Sequence, residues 1–142
     1  MVSVSVSEFR AQMALNAAEI VRLHGRIGET VLLCGKDQVG RKAWEEACAE
    51  FHRRYDSLAF PGGYGNALAR FREGDISVVE PALCFLEIRP YFFRSGYMFQ
   101  VLHRRVKRAP LTPCQQLRMD DVLERRAAWR ARKGRLGQPA CD

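Results

Sequence analysis

The chain has 142 residues, of which 47% are hydrophobic and 27% are charged; this balance is typical of a globular domain with its own core and excludes a disordered polypeptide. The longest apolar run near the middle, residues 81–86, is too short to cross a bilayer, and the V-S-V-S-V-S start lacks the continuous apolar segment of a secretory signal. The five cysteines have irregular spacing and no C-x-x-C pair, so we expect reduced thiols in a cytoplasmic protein, not a disulfide framework or a zinc knuckle.

The net charge of +7 is concentrated in the C-terminal part of the chain. Residues 89–142 contain 13 Lys and Arg against 4 Asp and Glu, a net charge of +9, whereas residues 1–88 contain 10 against 12, a net charge of −2. Such an asymmetry indicates an acidic partner, which could be nucleic acid, an acidic protein surface or anionic lipid. The alternative is an Arg-rich surface that only keeps the protein in solution.

The first helix is predicted to begin at a capping box, Ser5-x-x-Glu8, in which each side chain bonds the other residue's backbone N–H. Apolar residues recur behind it at helical spacing: Phe9, Met13, Ala17, Ile20 and Ile27. Gly25 or Gly28 is expected to end this helix. The apolar run Thr30–Cys34 follows; its periodicity fits a strand or a helical turn, and we favour a short helix because its neighbours are helical.

Asp37 is a suitable N-cap for the clearest helix of the chain. One face of that helix carries apolar and aromatic residues at helical spacing: Trp44, Ala47, Cys48, Phe51 and Tyr55. The Pro-Gly-Gly-Tyr-Gly sequence at 61–65 predicts a break, and a short helix should follow it and stop at Gly74.

The next helix should contain Pro81 in its first turn, where the missing proline N–H has no helical partner to lose. It is apolar on nearly all sides, which predicts the most buried helix of the fold. Pro90 should end it.

Residues 89–108 combine aromatic and basic residues. Five of the 14 aromatic residues of the chain lie here: Tyr91, Phe92, Phe93, Tyr97 and Phe99. We expect Ser95 to cap a helix that runs to about Arg108, with Met98, Leu102 and Val106 on one side and the cations on another. Large aromatics usually pack in a core, which is our expectation for Tyr91, Phe92 and Tyr97; exposed, they could stack on nucleic-acid bases.

Thr112-Pro113-Cys114-Gln115 is a second capping box, with proline at the first helical position. Asp121 and Arg125 should pair one turn apart in the helix that follows. The sequence therefore predicts an all-α, single-domain bundle of five to six helices over residues 1–136, with orthogonal or short helical-repeat-like packing and a disordered tail at 137–142.

Catalytic and ligand-binding motifs are weak. The glycines at 62, 63 and 65 lack the third glycine, at Leu68, and the preceding strand of a dinucleotide-binding loop, so we expect an inter-helix turn. Cys48 and His52 are four residues apart, but closed zinc sites usually show paired ligands. Cys114 stands at a helix start near Arg118, where a thiolate would be favoured, without an assignable base. We therefore expect no catalytic residue, no metal and no cofactor.

These observations favour a small non-catalytic helical protein that binds an acidic macromolecular partner, as adaptors, inhibitors and immunity-type proteins do. The alternative is nucleic-acid binding without sequence preference, and a thiol-dependent enzyme is a distant third. The predicted partner-binding residues are the cations of the C-terminal part: Arg94, Arg104, Arg105, Lys107, Arg108, Arg125, Arg126 and Arg130. A small-molecule ligand is not indicated.

Overall fold

A computed structural model describes residues 6–136, and within them the chain forms six α-helices, one 3-10 turn and no β-strand. The predicted all-α class is confirmed. The helices are α1 (Val6–Val31), α2 (Gln38–Ala59), α3 (Tyr64–Arg72), α4 (Val79–Ile88), α5 (Ser95–Arg108) and α6 (Pro113–Leu136); the 3-10 turn Ile76–Val78 leads directly into α4. None of the helices in this part of the chain is long and apolar enough to cross a membrane. The predicted tail at 137–142 lies outside the described residues.

Contacts between Cα atoms divide the chain into two compact units, one up to Ala109 and one from Pro110 onward. Helices α1 to α5 form the first unit, and α6 belongs to the second. The prediction of one domain over residues 1–136 stays a prediction.

α1 and α2 of the first unit form an antiparallel pair. Arg26 of α1 binds Glu50 of α2 at 3.0 Å. Glu19, two helical turns before Arg26, accepts from Arg54, one turn after Glu50, at 2.9 Å. The pair nearer the start of α1 is therefore the pair nearer the end of α2, which shows that the two helices run in opposite directions. Between these ion pairs, Ile20 and Leu23 are fully buried.

The prediction that Gly25 or Gly28 ends the first helix is wrong, because α1 continues through both to Val31. Each glycine costs about 1 kcal/mol of helix propensity relative to alanine. The long interface with α2, including the Arg26–Glu50 pair beyond Gly25, offsets that cost. The expectation of a separate short helix at Thr30–Cys34 is also wrong: Thr30 and Val31 complete α1, and a turn follows. The predicted cap residue Ser5 lies outside the described residues.

α2 begins where the sequence predicts. The Asp37 carboxylate accepts the Gly40 backbone N–H at 2.6 Å, which confirms it as the N-cap. On the predicted apolar face Ala47 and Phe51 are buried, while the remaining three residues, Trp44, Cys48 and Tyr55, are half-buried.

α4 is the buried helix of the first unit, as predicted, and Pro81 lies in its first turn. Every residue from Val78 to Leu86 except Glu80 is buried. Phe85 packs near Phe60, at the end of α2, and near Phe92, with ring centroids 6.3 Å apart in both cases. The helix ends at Ile88, before Pro90, and Arg89 takes the left-handed conformation that commonly follows a helix end.

α5 differs from the prediction at its start. Ser95 is its first helical residue, not its cap, and the cap position is taken by Arg94 in a left-handed conformation with φ of 66°. The Ser95 hydroxyl oxygen accepts the Phe92 backbone N–H at 3.0 Å. The hydroxyl therefore holds the preceding loop against the helix instead of covering the helix end.

In the second unit, the Thr112 capping box is confirmed. The Thr112 hydroxyl accepts the Gln115 backbone N–H, and the Gln115 side chain accepts the Thr112 backbone N–H, both at 3.1 Å. The predicted pair of Asp121 and Arg125 forms at 2.9 Å.

Candidate binding surface

The loop between α4 and α5 separates the aromatic residues of the segment into a buried and an exposed group. Phe92 and Phe99 are 6% and 4% exposed, whereas Tyr91 and Tyr97 are 89% and 68% exposed. The expectation that Tyr91 and Tyr97 pack in the core is therefore wrong, and it is confirmed for Phe92. The residue types partly indicated this difference in exposure, because a tyrosine ring has a polar hydroxyl end that favours water and a phenylalanine ring does not.

Two side chains from other helices hold this loop. The Tyr55 hydroxyl of α2 donates to the Phe93 carbonyl oxygen at 2.6 Å, and His24 of α1 stacks on the Phe93 ring with centroids 4.8 Å apart. Burial raises the pKa of Tyr55, and the positive charge of nearby Arg94 acts in the opposite direction. Sequence spacing does not reveal these contacts, because Tyr55 and Phe93 are 38 residues apart.

A shallow depression of about 460 Å³ opens beside this loop. Its lining comes from α1, the loop and the first turn of α5: Val21, His24, Tyr91, Phe92, Phe93, Arg94, Ser95 and Gly96. The Arg94 guanidinium lies 5.3 Å from the centre of the Phe93 ring, within the range of a cation–π interaction. The predicted site residue Arg94 therefore belongs to a mixed aromatic and cationic edge of the first unit.

α5 has a buried apolar side and an exposed basic side. Met98, Leu102 and Val106 are buried, as the spacing predicts. The opposite side bears four predicted site residues, Arg104, Arg105, Lys107 and Arg108, which we call the α5 basic face. Three of these are exposed and Arg105 is half-buried. A second depression, of about 280 Å³, is lined by Tyr97, Val101, Arg104, Arg105 and Arg108.

The cations of the α5 basic face have no ion pair with any carboxylate of residues 6–136. The arginines of α1 and α2 behave differently. Arg22 and Arg54 share Glu19, and Arg26 binds Glu50. Clustered cations repel one another. Because these four cations have no carboxylate partner within the described chain, an external anionic group would stabilise them.

Tyr64 of α3 is a polar residue beside this face that sequence reasoning did not assign to the site. Its hydroxyl is buried and has no hydrogen-bond partner among the described residues. Burial is the main cause that raises the Tyr64 pKa; Tyr97 adds to the rise and Arg105 opposes it, which shows that both are near. Only the helical spacing of Tyr64 could be predicted from the sequence; its electrostatic interaction with Tyr97 and Arg105 of α5 depends on the tertiary fold.

The three remaining predicted site residues belong to the second unit. Arg125 is exposed and pairs with Asp121, Arg126 is half-buried, and Arg130 is exposed. All three lie on α6, so the predicted set is divided between two units of the structure.

The structure also describes the surroundings of the glycine-rich turn and of the cysteines that the sequence raised as weak ligand-binding or catalytic motifs. At the glycine-rich turn, the Asp56 carboxylate accepts the Gly65 backbone N–H at 3.0 Å and so takes the helix-start position that a phosphate would need. Over residues 6–136 no group of three or more His, Cys, Asp or Glu side chains could hold a metal ion. Cys114 is exposed, and Cys48 is half-buried on α2.

No protein-family model matches the chain, and neither the curated proteins nor the solved structures include a significant match.

Proposed function

We propose that this protein binds an acidic protein surface through the α5 basic face, as a non-catalytic adaptor or inhibitor would. The observation that carries the proposal is the absence of any carboxylate partner for Arg104, Arg105, Lys107 and Arg108 among residues 6–136. Exposed Tyr97 and half-buried Val101 lie in the same depression as three of these cations. Tyr and Arg are the residues most enriched at energetically important positions of protein interfaces.

The test is a charge reversal on α5. The Arg104→Glu/Arg108→Glu variant should lose its partner in a pull-down from the native cell, with affinity reduced by at least about tenfold, since truncating or reversing important interface cations typically costs 2 kcal/mol or more. The helical circular-dichroism signal should be unchanged, because both side chains are exposed.

The matched control is Arg53→Glu/Arg72→Glu, which makes the same change in net charge. Arg53 and Arg72 are exposed on α2 and α3 and have no ion pair within the described residues. The control should keep the partner. The proposal is wrong if the α5 variant retrieves the same proteins as the unchanged chain.

Single-stranded nucleic acid is the second candidate partner, and the exposure of Tyr91 and Tyr97 specifically favours it. A cationic groove with aromatic side chains on which bases stack is the usual means of binding single strands without sequence preference. If all four cations of the α5 basic face contact phosphates, the logarithm of the binding constant should fall with the logarithm of salt concentration with a slope of about −3. Nuclease treatment before the pull-down separates the candidates, because it should release a nucleic-acid partner and leave a protein partner bound.

A further inference from the structure

The turn between α1 and α2 exposes a group of large aliphatic side chains. Leu32 and Val39 are 73% and 79% exposed, and Val31 and Leu33 are each 43% exposed. We call residues 31–42 the hairpin tip. Single exposed apolar residues are ordinary, but four within nine positions at the end of a helical hairpin form the kind of patch that marks an interaction site.

The tip is held together by close backbone packing. Gly40 is buried, and a side-chain carbon added there would overlap the carbonyl oxygen of Leu33 and lie 3.0 Å from its carbonyl carbon. The first turn of α2 therefore lies directly on the turn that carries Leu32 and Leu33. Val39, next to Gly40 in the chain, is thereby brought to the same end of the hairpin as those two residues.

Several backbone N–H groups of the tip donate to acceptors within the tip or at the end of α1. The Leu33, Cys34 and Lys36 N–H groups donate to the carbonyls of Thr30, Val31 and Leu33 at 2.9, 3.3 and 3.1 Å. The Asp37 carboxylate is engaged by the Gly40 N–H at 2.6 Å. Backbone groups that already have partners lower the cost of moving a segment toward an apolar medium, and these hydrogen bonds do so for the turn that carries Leu33.

The composition of the tip indicates which apolar medium it fits. Residues 31–42 contain Lys36, Arg41 and Lys42 against Asp37, a net charge of +2 beside the exposed aliphatic side chains. Lys36 and Lys42 are exposed at the edge of the patch and have no ion pair within residues 6–136. Aliphatic side chains bordered by lysines are complementary to the boundary between acyl chains and anionic headgroups.

We propose that the hairpin tip docks on an anionic phospholipid bilayer. Leu32, Leu33 and Val39 enter the interfacial layer, and Lys36 and Lys42 contact the headgroups. The hairpin tip shares no residue with the α5 basic face, and the proposal does not depend on the function proposed for that face.

Co-sedimentation with vesicles of phosphatidylcholine and phosphatidylserine tests this directly. The unchanged chain should bind, and Leu32→Ser/Val39→Ser should lower the partition coefficient by about tenfold or more, because two mostly exposed aliphatic side chains no longer leave water. Lys36→Gln/Lys42→Gln should reduce the preference for vesicles with phosphatidylserine over pure phosphatidylcholine vesicles. Both substitutions affect exposed side chains; if the double serine variant is less helical by circular dichroism, Val39→Ser alone provides the same comparison.

Two controls separate the tip from other surfaces. Leu15→Ser/Ile76→Ser removes aliphatic side chains that are 66% and 68% exposed elsewhere in the first unit, and it should bind vesicles as the unchanged chain does. Arg104→Glu/Arg108→Glu should retain tip-dependent binding; binding lost in this variant and kept in the tip variant would assign the lipid contact to α5 and overturn the proposal. The proposal would also be overturned if the unchanged chain did not bind vesicles. It would likewise be overturned if the unchanged chain formed a dimer in solution, without binding vesicles, and the tip substitutions abolished that dimer.

Discussion

Glu19 is the carboxylate that links the charged groups of α1 and α2. Its oxygens accept from Arg22 at 3.0 Å and from Arg54 at 2.9 Å, and Arg54 also reaches Glu50 at 3.2 Å. The hydrogen bond from Arg22 is the largest cause that lowers the Glu19 pKa from 4.5 to about 2, and Arg54 adds to it. The ionised carboxylate therefore stabilises the folded α1–α2 pair.

This arrangement predicts an acid-dependent stability. Because the folded-state pKa lies below the unfolded value, the contribution is fully present above about pH 4.5 and is lost as the pH falls toward 2. In urea denaturation measured across this range, Glu19→Gln should be less stable than the unchanged chain at pH 6, and the difference should shrink on acidification. Glu46→Gln, which changes an exposed carboxylate of the same hairpin, is the control. A difference that stays constant down to pH 2 would show that Glu19 acts through packing and not through its charge.

At the scale of the helix, glycine has opposite roles in α1 and α2. Gly25 and Gly28 lie in α1 with open space where a side chain would stand, whereas Gly40 is packed against the Leu33 backbone. Gly25 and Gly28 therefore weaken α1 without allowing any close contact. Gly40, in contrast, is required by the close contact with the Leu33 backbone.

Alanine substitutions should separate these roles. Gly25→Ala/Gly28→Ala should raise the free energy of unfolding by about 1–2 kcal/mol, because each alanine removes the conformational freedom that glycine has in the unfolded chain. Gly40→Ala should lower it, because the added methyl group overlaps the Leu33 carbonyl. Both changes can be followed by thermal unfolding. A stable Gly40→Ala protein would mean that the turn before α2 moves away readily.

At the scale of the whole molecule, the charge is distributed unevenly along the chain. The chain has a net charge of +7, and residues 89–142 alone contribute +9. In the first unit, Glu19 and Glu50 of the α1–α2 pair are engaged by arginines, whereas the α5 basic face has no such partner within the described residues. The long-range field of the chain is therefore positive, and it would attract the acidic partner that we propose.

Association with that partner should be steered by this field. Raising the salt concentration from about 0.05 M to about 0.5 M should reduce the association rate by about tenfold or more, since the screening length falls well below the dimensions of the protein. Surface plasmon resonance with the captured partner measures this rate separately from dissociation. The Arg104→Glu/Arg108→Glu variant should show a weaker salt dependence; an association rate independent of salt would count against an acidic partner.

The sequence by itself determined the helical class and most helix boundaries. Asp37 and the Thr112–Gln115 box mark helix starts because their side chains bond backbone N–H groups only three residues away, and such contacts do not depend on distant parts of the chain. The nearly continuous apolar composition of residues 78–86 likewise required burial. Local chemistry and hydrophobic periodicity are written in consecutive residues, so both could be predicted.

Only the tertiary structure decided where α1 ends and what the aromatic and basic segment presents. Gly25 and Gly28 remain helical because α2 packs alongside, a contact between residues far apart in sequence. Tyr91 is exposed and Phe92 is buried because the Tyr55 and Ser95 hydrogen bonds fix a loop that has no periodicity of its own. The cations of the α5 basic face could be placed on one side of a helix from their spacing. Whether carboxylates reach them depends on folding, which places Glu19 and Glu50 against Arg54 and Arg26 and leaves the α5 cations without an ion pair among the described residues.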